Sequence, residues 1–171
     1  MLTLKIRALE ETDLDFVHHL NNEYSIMSYW FEEPYQSLSE LQSLYKKHLL
    51  DESERRFIIE NDSERIGVVE LVEIDFIHSN CEIQIIVDEQ YGGKGYASQA
   101  FKMAIDYAFL VLNLHKIYLF VDVTNEKAVH IYQKQNFKIE GTLQEHFYTR
   151  GKYNDCHVMG LLRDDWINQQ K

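Results

Sequence analysis

Hydrophobic and polar positions alternate at the start of the chain. Leu2, Leu4 and Ile6 are separated by Thr3, Lys5 and Arg7, the period of two expected of a strand buried on one face. The rhythm then changes to that of a helix, with Leu14, Val17 and His18 on one side and Thr12 placed to cap it. Glu32-Glu33-Pro34-Tyr35 reads as a loop, after which Ser37-Leu38-Ser39-Glu40 forms a capping box. Leu38, Leu41, Leu44, Tyr45 and His48 carry that second helix onward. Strands are expected over residues 56–60 and 66–74, separated by the turn residues Asn61-Asp62-Ser63, and over the isoleucine-rich residues 81–87. The cluster Gly92-Gly93-Lys94-Gly95 then opens the strongest helical pattern in the chain. Ala97, Ala100, Phe101, Ala104, Ile105, Ala108, Val111 and Leu112 form its continuous apolar stripe. A strand over 116–121, a helix over 125–135 capped by Asn125, and strands over 138–145 and 157–162 complete the sequence. Antiparallel pairs early and a strand–helix–strand unit later predict an α+β domain around one central sheet.

The chain has 171 residues and a single proline, Pro34, with no repeat or linker, so one domain over residues 1–171 is expected. Acidic residues number 28 against 17 basic ones, a net charge of −11. That balance argues against a nucleic-acid partner, because phosphate binding needs clustered Lys and Arg, and it permits a cationic small molecule. The two cysteines, Cys81 and Cys156, lack metal-ligand spacing and read as buried, reduced thiols. The alternating N-terminus is no signal peptide, and the longest apolar run, residues 108–112, falls far short of the ~20 residues of a membrane helix. A cytoplasmic protein with no membrane partner is expected.

A glycine-rich turn between a strand and a long helix gathers backbone N–H groups and the positive helix end around one point, which suits a pyrophosphate. The cluster is no Walker A loop, since Gly-Lys-Ser/Thr is missing, and Gly93-Lys94-Gly95-Tyr96-Ala97-Ser98 lacks the last glycine of a dinucleotide fingerprint. Gly92-Gly93-Lys94-Gly95-Tyr96-Ala97 instead resembles the acetyl-CoA loop of the GNAT superfamily of N-acetyltransferases. Residues 125–137, with Asn125, Ala128, Tyr132 and Phe137, resemble that superfamily's second block. Two departures stand out. Gly92 replaces the usual Gln or Arg, and Asn136 replaces a glycine, a mild change because Asn also tolerates the left-handed C-cap conformation. The block from Tyr29 to Tyr35, with Trp30-Phe31-Glu32-Glu33-Pro34, together with Ser53 to Phe57, Val69 to Ile74 and Leu112 to Tyr118, is similar to bacterial spermidine N-acetyltransferases.

The resemblance implies a GNAT fold, a mixed and mostly antiparallel sheet of about seven strands flanked by about four helices. It also implies direct transfer of acetyl from acetyl-CoA to spermidine or spermine. The backbone of Ile85, Ile86 and Val87 would bond the pantetheine beside a bulge. Gly92, Gly93, Lys94, Gly95, Tyr96, Ala97 and Ser98 would cradle the pyrophosphate, with Asn125, Lys127, Ala128, Tyr132 and Lys134 also on the cofactor. Spacing alone leaves Tyr132 a core tyrosine beside Ala128 and Val129. The resemblance makes it the general acid, and makes Glu82, with Gln84, the polyamine contact and the base or relay. Glu70 and Glu73 lie at opposite parity in one apolar strand, so either buried face carries a carboxylate that a polyamine would pair. The resemblance further implies a second polyamine site between subunits of a homododecamer, lined by Met27, Glu32, Glu40, His48, Asp51 and Glu73. Glu32 and Glu73 could hold a divalent cation there, Mg or Ca, though no metal is required for the reaction. Two other functions remain open on the residues: a polyamine-sensing module without turnover, and an acetyltransferase for another amine, such as a protein N-terminus or an antibiotic.

Overall fold

The structure is a computed structural model that describes residues 4–27 and 33–169. Tyr29, Trp30, Phe31 and Glu32, singled out in the sequence, lie outside the described residues. Among the described residues seven strands form one sheet: β1 (Leu4–Ala8), β2 (Arg55–Asn61), β3 (Glu64–Asp75), β4 (Asn80–Val87), β5 (Lys116–Asp122), β6 (Lys138–Thr149) and β7 (Lys152–Leu162). Their spatial order is β1-β2-β3-β4-β5-β7-β6. Every neighbouring pair is antiparallel except β4 and β5, the one pair joined by a helical crossover. The β2–β3 turn uses Asp62 and Ser63 at φ 49° and 70°, the positive-φ pair of a two-residue hairpin.

Among the described residues six helices pack on the two faces. The larger core lies against α4 (Tyr96–Leu110) and α6 (Arg163–Gln169), where Phe101, Phe109, Leu119, Met159 and Trp166 meet. A smaller core on the opposite face joins Leu14, Val17 and Leu20 of α1 (Leu14–Asn22), Met27 of α2 (Tyr24–Met27) and Leu41 of α3 (Leu38–His48) to Ile58, Val68 and Ile86. The sixth helix, α5 (Glu126–Lys134), follows β5 and packs Ala128, Val129 and Tyr132 against the larger core. Four helices were expected. The additional two are α2, with four residues, and α6, whose one buried side chain is Trp166, its indole N–H bonded to Asp106 at 3.1 Å. Neither is long or apolar enough to leave a periodic stripe. Among the described residues no helix is long and apolar enough to cross a membrane.

Several local expectations change. Thr12 does not cap α1: it sits inside a 3₁₀ turn, Glu11–Asp13, where the Asp13 carboxylate accepts from the Glu10 amide at 2.9 Å. The α4 stripe stops before Val111, which is 63% exposed because the helix has already ended. The last two strands run longer than expected, meeting at the tight turn of Arg150 and Gly151, both at positive φ. Glu70 is buried as foreseen, but its partner is Arg56 on β2, at 2.9 Å, rather than a ligand. Both cysteines are free and fully buried, and burial pushes their thiols up, to about 12 for Cys81 and about 11 for Cys156.

Arg7 ties β1 to the start of the helical layer. Its guanidinium bonds both oxygens of buried Asp13, at 2.7 and 2.9 Å, and Glu60 at 2.7 Å. The Arg7 bonds hold the Asp13 carboxyl below its usual range despite desolvation. A depressed carboxyl contributes stability that is present above its unfolded pKa and lost as pH falls through the lower folded value. Thermal unfolding should therefore show a Tm that declines below about pH 4. Asp13→Asn should lower the Tm at neutral pH and flatten that decline.

Candidate active site

Pairing between β4 and β5 covers three residues and then stops. Asn80, Cys81 and Glu82 face Lys116, Ile117 and Tyr118, and beyond that point the strands separate. One edge of β4 from Ile83 to Val87 is thus open, while its other edge stays bonded to β3 through Val87↔Gly67. Backbone groups along an open edge must bond water or an added extended chain. A bulge was expected beside Ile85–Val87, but β4 pairs regularly with β3 there, from Gly67↔Val87 to Val72↔Glu82. The irregularity lies instead in β3, between Val72 and Asp75, where Glu73 adopts φ 51°.

The separation creates a cleft of about 290 Å³. Glu82, Gln84, Ile85, Ile86 and Val87 line one side, and Phe120, Val121 and Asp122 the other. Ser25 and Ile26 of α2 close one mouth; Asn125, Ala128 and Tyr132 of α5 close the opposite one. Because side chains alternate along a strand, Glu82, Gln84 and Phe120 point to the α2 face of the sheet. Tyr132 belongs to the other face, with its ring 5.2 Å from Phe101. The cleft passes through the sheet.

Local chemistry sets each group. Gln84 Nε2 donates to Glu82 Oε1 at 2.8 Å, leaving the carboxylate oriented along the cleft wall. Burial, and then Glu82 and Glu73, push the Tyr118 phenol opposite up to about 12. Burial alone pushes Tyr132 up to about 12, so its hydroxyl keeps its proton at neutral pH. Asp122 Oδ1 accepts from the Thr124 amide and hydroxyl, both at 2.7 Å, turning the chain so that Asn125 can cap α5 through the Ala128 amide at 3.2 Å. At its far end α5 closes with a Schellman motif. Phe137 N–H donates to Tyr132 C=O and Asn136 N–H to Gln133 C=O, with Asn136 at φ 64°.

The glycine loop stands at the start of α4. Gly93 and Gly95 have φ 77° and 79°, and Gly95 is the left-handed N-cap. The first amides of α4, from Tyr96, Ala97 and Ser98, have no intrahelical acceptor and point outward with the positive end of the helix dipole. Ser98 also accepts from Gln135 at 2.9 Å, which locks the loop helix to α5. A Cβ on Gly95 would meet nothing nearer than Gln99 Nε2 at 3.9 Å, so backbone conformation, not protein crowding, is what demands glycine. Lys94 lies 5.7 Å over the Tyr91 ring, while Gly92, at φ −60°, needs glycine for space and not for conformation, since a Cβ there would lie 3.1 Å from the Glu89 carbonyl oxygen. Lys127 and Lys134 are exposed on α5 and do not line the cleft.

The distal residues do not converge in the described chain. Glu40 is the exposed capping-box partner of Ser37, bonded to its amide at 2.9 Å. His48 lines a separate cavity of about 200 Å³ with Arg56 and Glu70, and burial lowers its pKa. Asp51 bonds Ser53 at 2.9 Å. Glu73 is exposed, and the side chain of Met27 is only 2% exposed in the smaller core, so it does not face a surface site. Among the described residues no three metal-binding side chains come together, and Glu32 lies outside them. Ser25, Ile26, Ile83, Glu89, Phe120, Val121 and Asp122 line the cleft without having been foreseen. Only Asp122, two positions before Thr124 and three before Asn125, carried a readable turn signal.

Residues 3–138 match the acetyltransferase (GNAT) domain. The chain belongs to the GNAT acetyltransferase family. It is 49% identical over 169 residues to the spermidine N(1)-acetyltransferase of Escherichia coli K12, covering 99% of this chain and 91% of that protein. A crystal structure of spermidine N-acetyltransferase from Vibrio cholerae in complex with CoA and spermine superposes with a TM-score of 0.94 at 51% identity, over 96% of this chain and 98% of that one. A dodecameric structure of the Vibrio cholerae enzyme in an intermediate state gives a TM-score of 0.90 at 50% identity, covering 98% of each chain. The GNAT fold expected from the glycine loop is the fold observed.

The Asn136 cap fixes where the α5 turn carrying Tyr132 ends. Asn136→Gly should leave stability unchanged or raise it, whereas Asn136→Val should cost about 1–2 kcal/mol, the penalty of forcing a side chain with a branched Cβ into the left-handed region. Denaturant titration measures both, and an equal cost for the two would remove the cap from the account.

Proposed function

We propose that this protein acetylates spermidine or spermine, moving the acetyl group of acetyl-CoA directly to a primary amine. One observation carries the reading: Glu82 and a protonated, half-buried Tyr132 line the same through-sheet cleft from opposite faces. The open edge of β4 at Ile85, Ile86 and Val87 takes the pantetheine amides, and the Gly93–Ser98 turn takes the pyrophosphate. That fixes the thioester in the gap between the strands.

The acceptor enters from the α2 face as an ammonium, drawn by Glu82 and by the net charge of −11. Freeing its lone pair at neutral pH costs about 4–5 kcal/mol from the reference lysine value. Glu82 accepts that proton through a water. The nitrogen then bonds the carbonyl carbon and the C–S bond breaks; Tyr132 protonates the departing sulfur from the other face, the nitrogen loses its second proton to water, and that proton restores the Tyr132 hydroxyl. Donor and acceptor thus never compete for one position. Gln84 keeps Glu82 aimed at the cleft.

We further assign Glu40, His48, Asp51 and Glu73, with Glu32, to a regulatory polyamine site of a homo-oligomer in the cytoplasm. What supports this is the assembly and spermine binding of the Vibrio cholerae relative.

The decisive assay incubates the protein with acetyl-CoA and a panel of amines and follows thiol release. Spermidine and spermine should give turnover where peptide N-termini and aminoglycosides do not. Tyr132→Phe should lower kcat by about 10²-fold or more with little change in acetyl-CoA affinity; near wild-type kcat would return Tyr132 to a packing role. The wild-type rate should rise sigmoidally with spermidine. Glu32→Gln with Glu40→Gln should make it hyperbolic, since glutamine preserves the capping box while removing the charge. An unchanged sigmoid overturns the regulatory assignment.

A further inference from the structure

Four aromatic rings pack together outside both cores of the described residues. Phe120 on β5 lies at the centre, 5.9 Å from Tyr118 and 6.4 Å from Phe147, both edge-on, with His146 stacked at 6.3 Å and 22°. Phe120 is the member that lines the cleft. It stays half-buried although three rings hold it, so the cluster orients a ring face more than it hides one. The register places Glu82 opposite Tyr118, and Phe120 follows Tyr118 on the same sheet face. The amine side of the cleft therefore has a carboxylate on one wall and a braced aromatic ring on the other.

A ring face attracts a cation within about 6 Å through its quadrupole. That attraction would be counterproductive at the reacting nitrogen, which must lose its proton before attack. It is useful for a part of the acceptor that remains charged. We propose that Phe120 is a specificity-determining residue whose ring face receives a second, non-reacting ammonium of the acceptor. The chemical class is an aliphatic amine with at least two cationic centres separated by a few methylenes. The methylenes lie along the rims of Tyr118 and Phe147, and His146, stacked on Phe120, helps hold the ring in place. This rests on the polyamine reading above and adds the element that distinguishes polyamines from single amines.

The test begins with wild-type turnover of spermidine; its absence overturns the polyamine reading itself. With turnover present, Phe120→Leu should raise the spermidine KM about 3- to 30-fold, the loss appearing in KM more than in kcat, while Phe120→Trp should keep the KM at or below wild type. Phenylalanine carrying one, two or three fluorines at position 120 keeps the shape and drains the ring face of charge, so KM should climb with each fluorine. This series remains decisive if the leucine variant does not fold. A KM that ignores fluorination, or a tryptophan variant as impaired as the leucine one, overturns the role of Phe120 and leaves the acetyltransferase reading intact.

Discussion

Three paired residues between β4 and β5, and no more, set up the rest of the molecule. A parallel pair that continued past Glu82 and Tyr118 would satisfy its own backbone and leave neither a slot nor a way through the sheet. The strands separate while each stays bonded on its other side, β4 to β3 and β5 to β7. The open edge is thus held rigidly. Unpaired peptide groups are normally a liability; here they lie in a narrow recess where an extended, amide-bearing chain can complete the ladder.

The separation is maintained from outside the gap. α4 buries Phe101, Ala104, Ile105, Ala108 and Phe109 in the larger core and fixes the glycine turn at its start. α5 is fastened at both ends, by Asp122 and Asn125 at its beginning and by Asn136 and Phe137 at its close. Tyr132 therefore hangs between two caps on a helix of nine residues. Its position owes more to those turns than to its own contacts. On the opposite face, Arg7, Asp13 and Glu60 join β1, β2 and the entry to α1, anchoring the layer that closes the amine side.

Much of this was written in local patterns. Alternation located β1, apolar runs between turn residues located the later strands, the glycine cluster located the turn before α4, and Asn125 located the start of α5. What could not be read were relations between elements. Phe120 alternates with Leu119 and Val121 like any core strand residue, and only the β4–β5 register shows that it faces the gap. The partner of Glu70 was hidden in the same way, because Arg56 comes opposite it only through the β2–β3 register, shifted by the irregularity at Ile59 and Glu60. α6 offered a single buried anchor, Trp166, too little for a periodic signal. Spacing alone left Tyr132 a core residue; its ring does pack on Phe101, and it also lines the through-sheet cleft, where the proposed reaction would use its hydroxyl.

Cys81 precedes Glu82 and points away from the cleft into the larger core, with a thiol near 12; Cys156 is equally enclosed, near 11. At neutral pH both therefore remain protonated thiols. The proposed reaction releases a free thiol, coenzyme A, next to β4 at every turnover. Thiol–disulfide exchange requires a thiolate that can reach a disulfide, and neither cysteine supplies one. Under oxidising stress, when coenzyme A disulfides accumulate, the protein should therefore resist capping by its own product. For Cys81 that protection comes from the face of β4 it occupies; Cys156 lies opposite Asp122 on the cleft's own face, and burial alone protects it.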